Sequence, residues 1–508
     1  MKKTKSTYIT LFELVRIVAV LFTIIVPAFA VSSPRTLTLT LSQSIEMAND
    51  SSLNILRAQN SYLYSYWQYR SFRAGRLPSL SLSLKPVSYS RYITKRYNYQ
   101  ENIEVFRPQK SFGAGGELEL SQNIDFTGGR IYVNTSLDYM REFGDVNYTQ
   151  YSTTPVRIGY SQSLIGFNDL KWDRKIEPMH FDLGQKRLIS DMEDIAISAV
   201  SHFFELVLAQ ANLDIAERLK ISADSMLIIG QRRYAIAAIT KAELLTIQLD
   251  ALNASNSLEN AAISKKKAMT ALAVFLNLDR DTEIATEVPE LPAEINVNIA
   301  EAIQYAKDNN PSVMDKNIYV VEQERAVKRL KVENMFNASV NASVGFNQHA
   351  PNLRGSYANL MDQELVNVTV SIPLVDWGVR KGRLNKAVNN LNIANIDAER
   401  AVQDLEEDIT TVVNDFNTYR QLIASSEEAL EIANAAYSQI QSRFIIGKAD
   451  VNDVMLAGTR RQQAQTNYIQ ALKSYWINYY NLRKLTLFDF ESGKSLVDGY
   501  DFERLVRH

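Results

Sequence analysis

Cysteine is absent from the 508-residue chain, and histidine occurs only four times. Without cysteine there are no disulfides and no thiolate metal sites. The lipid-bearing cysteine that follows a bacterial lipoprotein signal is missing as well. His180, His202, His349 and His508 lack the spacing of a metal-binding motif such as H-E-x-x-H. His202 shares a helical stripe with Ala199 and Leu206 and reads as a packing residue. No G-x-S-x-G elbow occurs. Gly113-Ala114-Gly115-Gly116 precedes a strand, not a helix whose N-terminus would cradle phosphate. The sequence therefore offers no catalytic residue, no cofactor and no metal site, and it reads as a non-enzyme. A formal net charge of −2 leaves no basic footprint for nucleic acid. Past the N-terminus no apolar run approaches a bilayer-spanning helix. If the chain is integral to a membrane, it is so through β-strands.

The N-terminus itself is a targeting segment. Lys2, Lys3 and Lys5 form a positive region, and an apolar run over 17–30 ends in the small-x-small pattern Ala28-Phe29-Ala30. Read as a signal peptide of residues 1–30, it makes the mature chain an exported one. The run is short for a membrane anchor.

Proline and glycine are scarce, at 12 and 19 residues. A chain of this length has room for about three ordinary domains, but so few helix breakers argue for long helices instead. The stretch 443–454, Arg443-Phe444-Ile445-Ile446-Gly447-Lys448-Ala449-Asp450-Val451-Asn452-Asp453-Val454, separates two such helices and reads as the tip of a helical hairpin. Its counterpart is 233–244, and 163–278 matches 373–488 without a gap. In that frame Leu164 falls on Leu374, Tyr234 on Phe444 and Glu243 on Asp453. The return helices carry heptad seams, Leu244, Ile247, Ala251, Ala254 in one and Val454, Ala457, Arg461, Ala464 in the other. The outgoing helix of the second hairpin steps by four at Leu405–Ile409, a stutter that straightens a supercoil. About fifty-five helical residues would reach roughly 80 Å, more than a globular core needs.

The helix expected over 41–76 matches a second one over 299–335, with Ile45 on Ile303 and Ala48 on Ala306. Each leads into alternating sequence. Leu80, Leu82 and Leu84 interleave with serines, and Val366, Val368 and Val370 interleave with Asn367 and Thr369. Period two gives one apolar and one polar face, as in a soluble sandwich or an outer-membrane barrel; the signal peptide and the repeats favour the barrel. The first half carries an extra hairpin, 113–142, whose strands 117–124 and 131–140 meet at Asp125-Phe126-Thr127-Gly128-Gly129. The sequence leaves open whether it joins the wall or projects from it. The Tyr- and charge-rich stretch 89–110 reads as an exposed loop. Pro289 and Pro292 mark a linker between halves.

These features resemble the TolC family of outer-membrane efflux proteins. The resemblance rests on the two helix–strand–hairpin repeats and on the strand-to-helix junctions Ser161-Gln162-Ser163-Leu164-Ile165-Gly166-Phe167 and Ile372-Pro373-Leu374-Val375-Asp376-Trp377-Gly378-Val379-Arg380. It rests also on the tip Phe444-Ile445-Ile446-Gly447. It implies a mixed α and β membrane protein, a trimeric outer-membrane β-barrel continued by a long α-helical, coiled-coil-like periplasmic barrel, with two tandem repeats per chain. The first repeat is 31–290, with strands 79–163 and helical hairpin 168–278. The second is 291–490, with strands 338–373 and helical hairpin 378–486, and the tail 491–508 is unassigned. Four to six strands cannot close a barrel alone, so physics also asks for an oligomer. Four wall strands per chain, twelve in a trimer, are expected in preference to eighteen.

The resemblance further implies an exit duct for tripartite efflux or type I secretion, partnered by a periplasmic adaptor, an inner-membrane efflux pump and outer-membrane lipid. It places acidic rings at the periplasmic constriction, where Asp453, Glu243 and Asp450 are the candidates. Gly447, Arg443 and Arg233 are candidates for the tip turn and the adaptor contact. The same residues have plainer readings. Thr240-Lys241-Ala242-Glu243 is a capping box, Asp450 and Asp453 suit a helix N-terminus, and arginines suit a C-terminus. The alternative function is a structural or adhesive exported coiled coil without a channel. The cargo is left open.

Overall fold

The computed structural model describes residues 37–143, 147–289, 295–446 and 448–507. The signal segment 1–30, part of the proline linker and Gly447 lie outside the described residues. In chain order the elements begin with β1 (Leu37–Leu39), α1 (Leu41–Ser51) and α2 (Leu53–Ala74). Four strands follow: β2 (Ser79–Asn98), β3 (Ile103–Ile124), β4 (Gly129–Phe143) and β5 (Tyr148–Ile165). The first helical hairpin is α3 (Asp169–Ala235) and α4 (Lys241–Phe275). After β6 (Ile284–Thr286) come α5 (Ile299–Asn309), α6 (Pro311–Glu333), β7 (Asn337–Ala350) and β8 (Met361–Ser371). The second hairpin is α7 (Val379–Ile445) and α8 (Val451–Thr486).

The two outgoing helices, α3 and α7, are each 67 residues long, about 100 Å of helix and longer than the sequence expectation. Their ends coincide in the frame that pairs Leu164 with Leu374. Each is flanked along its length by shorter helices. Near the sheet α3 packs against α2 and α6, and α7 against α6; towards the tips they meet the return helices α4 and α8. The buried faces follow the seams: Ile247 and Ala251 on α4, Val454 and Ala457 on α8, Leu405, Ile409 and Phe416 on α7.

The single helices expected over 41–76 and 299–335 are each broken in two. Ser52, with ψ 152°, ends α1 and caps α2 by accepting from Ile55 N at 3.2 Å. Asn310 does the same before α6, accepting from Ser312 N at 2.9 Å, with Pro311 at the first helical position. A short polar side chain that bonds its own backbone competes with helix continuation, and proline is tolerated at the start of the new helix. Ser52 and Asn310 are equivalent in the frame that pairs Ile45 with Ile303.

The sheet departs furthest from expectation. All six long strands form one antiparallel sheet in the order β2-β3-β4-β5-β7-β8. The stretch 89–110 is not a loop: β2 and β3 stay paired from Ser79↔Ser121 to Asn98↔Ile103. Its tyrosines, isoleucines, valine and phenylalanine suit strands, and its charges sit on a solvated ribbon. The extra hairpin 113–142 lies inside the same sheet, paired through β3, β4 and β5. The chain thus contributes six strands to it, not four.

The main core lies between sheet and tips, where Phe203, Phe204, Leu272 and Phe416 are fully buried. β1 pairs in parallel with β6 there. The C-terminal tail is also ordered there, with β9 (Phe488–Asp489), β10 (Lys494–Ser495) and α9 (Phe502–Val506). Phe502 meets Tyr62 with ring centroids 5.3 Å apart. The two hairpins are clamped by one buried ion pair. Arg483 of α8 donates to both carboxylate oxygens of Glu193 on α3, at 2.9 and 3.0 Å, and Glu193 is only 6% exposed. Removing Glu193 leaves the largely buried Arg483 with Asp489, 3.5 Å away, as its remaining carboxylate, so Glu193→Ala is expected to cost about 3 kcal/mol, the low end for a broken buried pair. Thermal and denaturant unfolding check this; a loss below about 0.5 kcal/mol would show that the pair does not clamp the hairpins.

Candidate functional site

The two faces of the sheet differ in chemistry. Leu82 pairs with Leu118, Leu80 with Leu120, and Leu120 with Val133. Val133 pairs with Ile158, Ile158 with Val344, and Ala342 with Val366. One face is therefore apolar across all six strands. It is uncovered: Leu82 is 64% exposed and Val366 71%.

The opposite face is polar and knitted together. Arg130 pairs with Glu119, and Asn134 donates to Glu117. Arg157 Nε donates to Asn134 Oδ1 at 3.0 Å, while its other end lies 3.9 Å from Glu117. Tyr132 lies across Gly159 so closely that a Cβ there would come 2.2 Å from the ring. Only glycine fits beneath that tyrosine. Residue order alone does not reveal this network, because it needs the cross-strand register. Its one advance signal was that Glu117, Glu119, Arg130 and Arg157 all fall on the polar phase of their strands.

Below the sheet, the junction after β8 turns through Trp377 (φ 53°) and Gly378 (φ 91°). Asp376 holds this turn. It accepts from Gly378 N at 3.1 Å, from Arg380 N at 3.0 Å and from Arg380 Nε at 2.6 Å. The Arg380 side chain, then the Arg380 and Gly378 backbone donors, lower its carboxyl from 3.8 to about 2.

At the far ends of the helices the two tips pack on each other through one apolar cluster. Met226, Ile247, Tyr437, Phe444, Val454 and Ala457 are its buried members. This brings Glu243, Asp450 and Asp453 to the same end of the helical body, all exposed. Each is engaged in a cap. Glu243 Oε2 accepts from Thr240 N at 2.6 Å and from Thr240 Oγ1 at 2.9 Å. These bonds from Thr240 lower its carboxyl below the ordinary glutamate range. Asp450 Oδ1 accepts from Asp453 N at 2.9 Å and Asp453 Oδ2 from Asp450 N at 3.1 Å, a second full capping box. The remaining oxygens of Glu243 and Asp453 accept no hydrogen bond among the described residues.

Arg233 and Arg443 lie in the last turns of α3 and α7. Arg443 reaches across its tip to Lys448 O at 3.3 Å. The first tip turns without glycine: Ala237 adopts φ 52°, a left-handed conformation that glycine takes at lower cost. His202 packs against Phe275 with ring centroids 4.9 Å apart and the rings tilted by 41°, in keeping with a packing role. Among the described residues no cluster of His, Asp or Glu could hold a metal.

The lowered carboxyl of Asp376 predicts a pH signature. A group whose folded pKa is depressed adds stability above its unfolded value, and that stability is lost as pH falls through the folded one. Asp376→Asn is therefore expected to lower Tm at neutral pH, with the difference from the parent shrinking between pH 4 and about 2. A difference that stays constant across that window would contradict the bonding at the turn.

Residues 302–486 match the family model described as "Outer membrane efflux protein". No curated protein matches the chain at a significant level. Among solved structures, the Campylobacter jejuni CmeC outer membrane channel is 15% identical with a TM-score of 0.66, covering 92% of this chain and 88% of that one. The outer membrane protein VceC from Vibrio cholerae is 15% identical with a TM-score of 0.61, covering 88% and 95%. The open state of the Neisseria gonorrhoeae MtrE outer membrane channel is 14% identical with a TM-score of 0.57, covering 88% of each chain. At these identities the likeness is one of fold. The chain carries an outer membrane efflux protein domain and has the fold of the TolC-family outer-membrane channels.

Proposed function

We propose that the chain is the outer-membrane exit duct of a tripartite efflux or type I secretion system. It conducts substrates passively across the periplasm and the outer membrane. The observation that carries this is the six-stranded sheet, with one face apolar and uncovered and two unpaired edge strands, β2 and β8. A sheet of that kind is stable in lipid only when closed into a barrel. Three copies of the six-stranded sheet give eighteen strands, in place of the twelve expected from four. The polar face would line the lumen. The helices, as two tandem repeats per chain, would form the periplasmic cylinder. A purely structural coiled coil has no use for an uncovered apolar sheet face, which counts against that alternative. No chemistry is assigned to the chain itself; an inner-membrane pump would supply the energy.

In this arrangement the tips form the periplasmic entrance. Glu243, Asp450 and Asp453 each supply one carboxylate per copy near the axis, where grouped like charges attract cations. Arg233 and Arg443 would meet the periplasmic adaptor; Gly447, the candidate turn residue, lies outside the described residues. Capping and gating are separable by experiment, because glutamine and asparagine keep the capping bonds while removing the charge. Glu243→Gln with Asp453→Asn is expected to leave stability nearly unchanged and to weaken the block of single-channel current by multivalent cations. Unchanged block would remove both residues from the entrance. The wider reading is checked by fractionation. The native chain is expected in the outer membrane with heat-modifiable gel migration, and recovery only in the soluble periplasm would overturn it.

A further inference from the structure

The lipid-facing side of the sheet changes character along the strands, starting from the end nearest the helices. On β3 it runs from Leu120 and Leu118 through Phe112 to Lys110. On β4 it runs from Ile131 and Val133 through Tyr139 to Arg141, and on β2 from the leucines to Tyr89 and Arg91. Leu120 to Lys110 is about ten residues, roughly 33 Å of strand. Tilted as barrel strands are, that is about 25 Å of height, the span of a barrel's apolar band. The cations thus stand just beyond the band, at the end away from the helical body.

Their arrangement is unusual. Arg91 is directly opposite Lys110 across the β2–β3 pair. Arg141 is the diagonal neighbour of Lys110, which stands opposite Phe143. Lys110 Nζ and Arg141 Cζ lie 5.2 and 5.1 Å from the centre of the Phe143 ring. All three cations are exposed. Lys95, two pairs further along, takes Glu104, but none of these three has a carboxylate partner among the described residues. Like charges set opposite one another destabilise a sheet, unless an anion sits between them.

We propose that Arg91, Lys110 and Arg141, framed by Phe143, bind the phosphorylated headgroup of an outer-leaflet lipid. The site rests on the outer-membrane reading above: with the helices in the periplasm, this end of the band meets the outer leaflet. The apolar strand surface below the cations would receive the acyl chains, and the guanidinium and ammonium groups would pair with phosphate. Arg91 is on the edge strand and would lie beside the β8 of a neighbouring copy. Lys110 and Arg141 are one and two strands further in, so they report on lipid more directly.

The test uses the full chain purified in mild detergent, offered lipid A, dephosphorylated lipid A or inorganic phosphate, with native mass spectrometry as the readout. The parent is expected to retain phosphorylated lipid A and release the dephosphorylated form. Lys110→Ser with Arg141→Ser is expected to bind about tenfold or more weakly, with oligomer mass and single-channel conductance unchanged. Equal retention by the variant, equal retention of the dephosphorylated lipid, or displacement by inorganic phosphate alone would each overturn the proposal. Absence of the parent chain from the outer membrane would contradict the channel reading instead, which fractionation detects separately.

Discussion

The structure depends on one constraint: backbone N–H and C=O groups on a strand edge cannot stay unpaired in hydrocarbon. This sheet has two such edges, β2 and β8, and its apolar face is already turned outward. On the proposed reading, closing the sheet through further copies would satisfy both edges at once, with the apolar residues on lipid and the Glu117–Asn134–Arg157 network on the inside. The oligomer would then be a condition for the fold in a membrane, not an accessory to it. The helical body follows, since every strand region hands its chain directly to a hairpin beneath it.

Within that body, length comes from pairing each 67-residue helix with two shorter ones end to end. The joint between the shorter partners falls in the main core, where Ser51 meets Leu276 and Asn310 meets Leu485. Phe416, Tyr475 and Tyr479 fill it, with Phe416 and Tyr475 centred 4.9 Å apart. The ordered tail and the Glu193–Arg483 pair brace the same level. Away from this belt the hairpins touch chiefly through small seam residues and the apolar cluster at the tips.

Much of this was legible in residue order. The hairpin frame, the buried seams and the box at Thr240–Glu243 all depend on local spacing, which sequence displays directly. What escaped depends on competition or on register. Ser52 and Asn310 look like ordinary surface positions in a helical pattern, yet their side chains take over the backbone and break it. The charges in 89–110 suggested a loop, whereas its Tyr, Ile, Val and Phe residues favour strand and its two arms pair from Tyr89↔Phe112 to Asn98↔Ile103. The box at Asp450–Asp453 is as complete as the first, although aspartate is a shorter partner than glutamate. The polar-face network and the cationic triad could not be seen, because they exist only once partners across strands are fixed.

The central claim is that β2 of one copy closes against β8 of another. The absence of native cysteine makes it directly testable. Ser81→Cys on the polar face of β2, combined in turn with Leu365→Cys, Asn367→Cys or Thr369→Cys on the same face of β8, is oxidised in outer membranes and run on a denaturing gel. The account predicts that one register gives covalent dimers and trimers that collapse to monomer on reduction. Monomer alone at every register would contradict it.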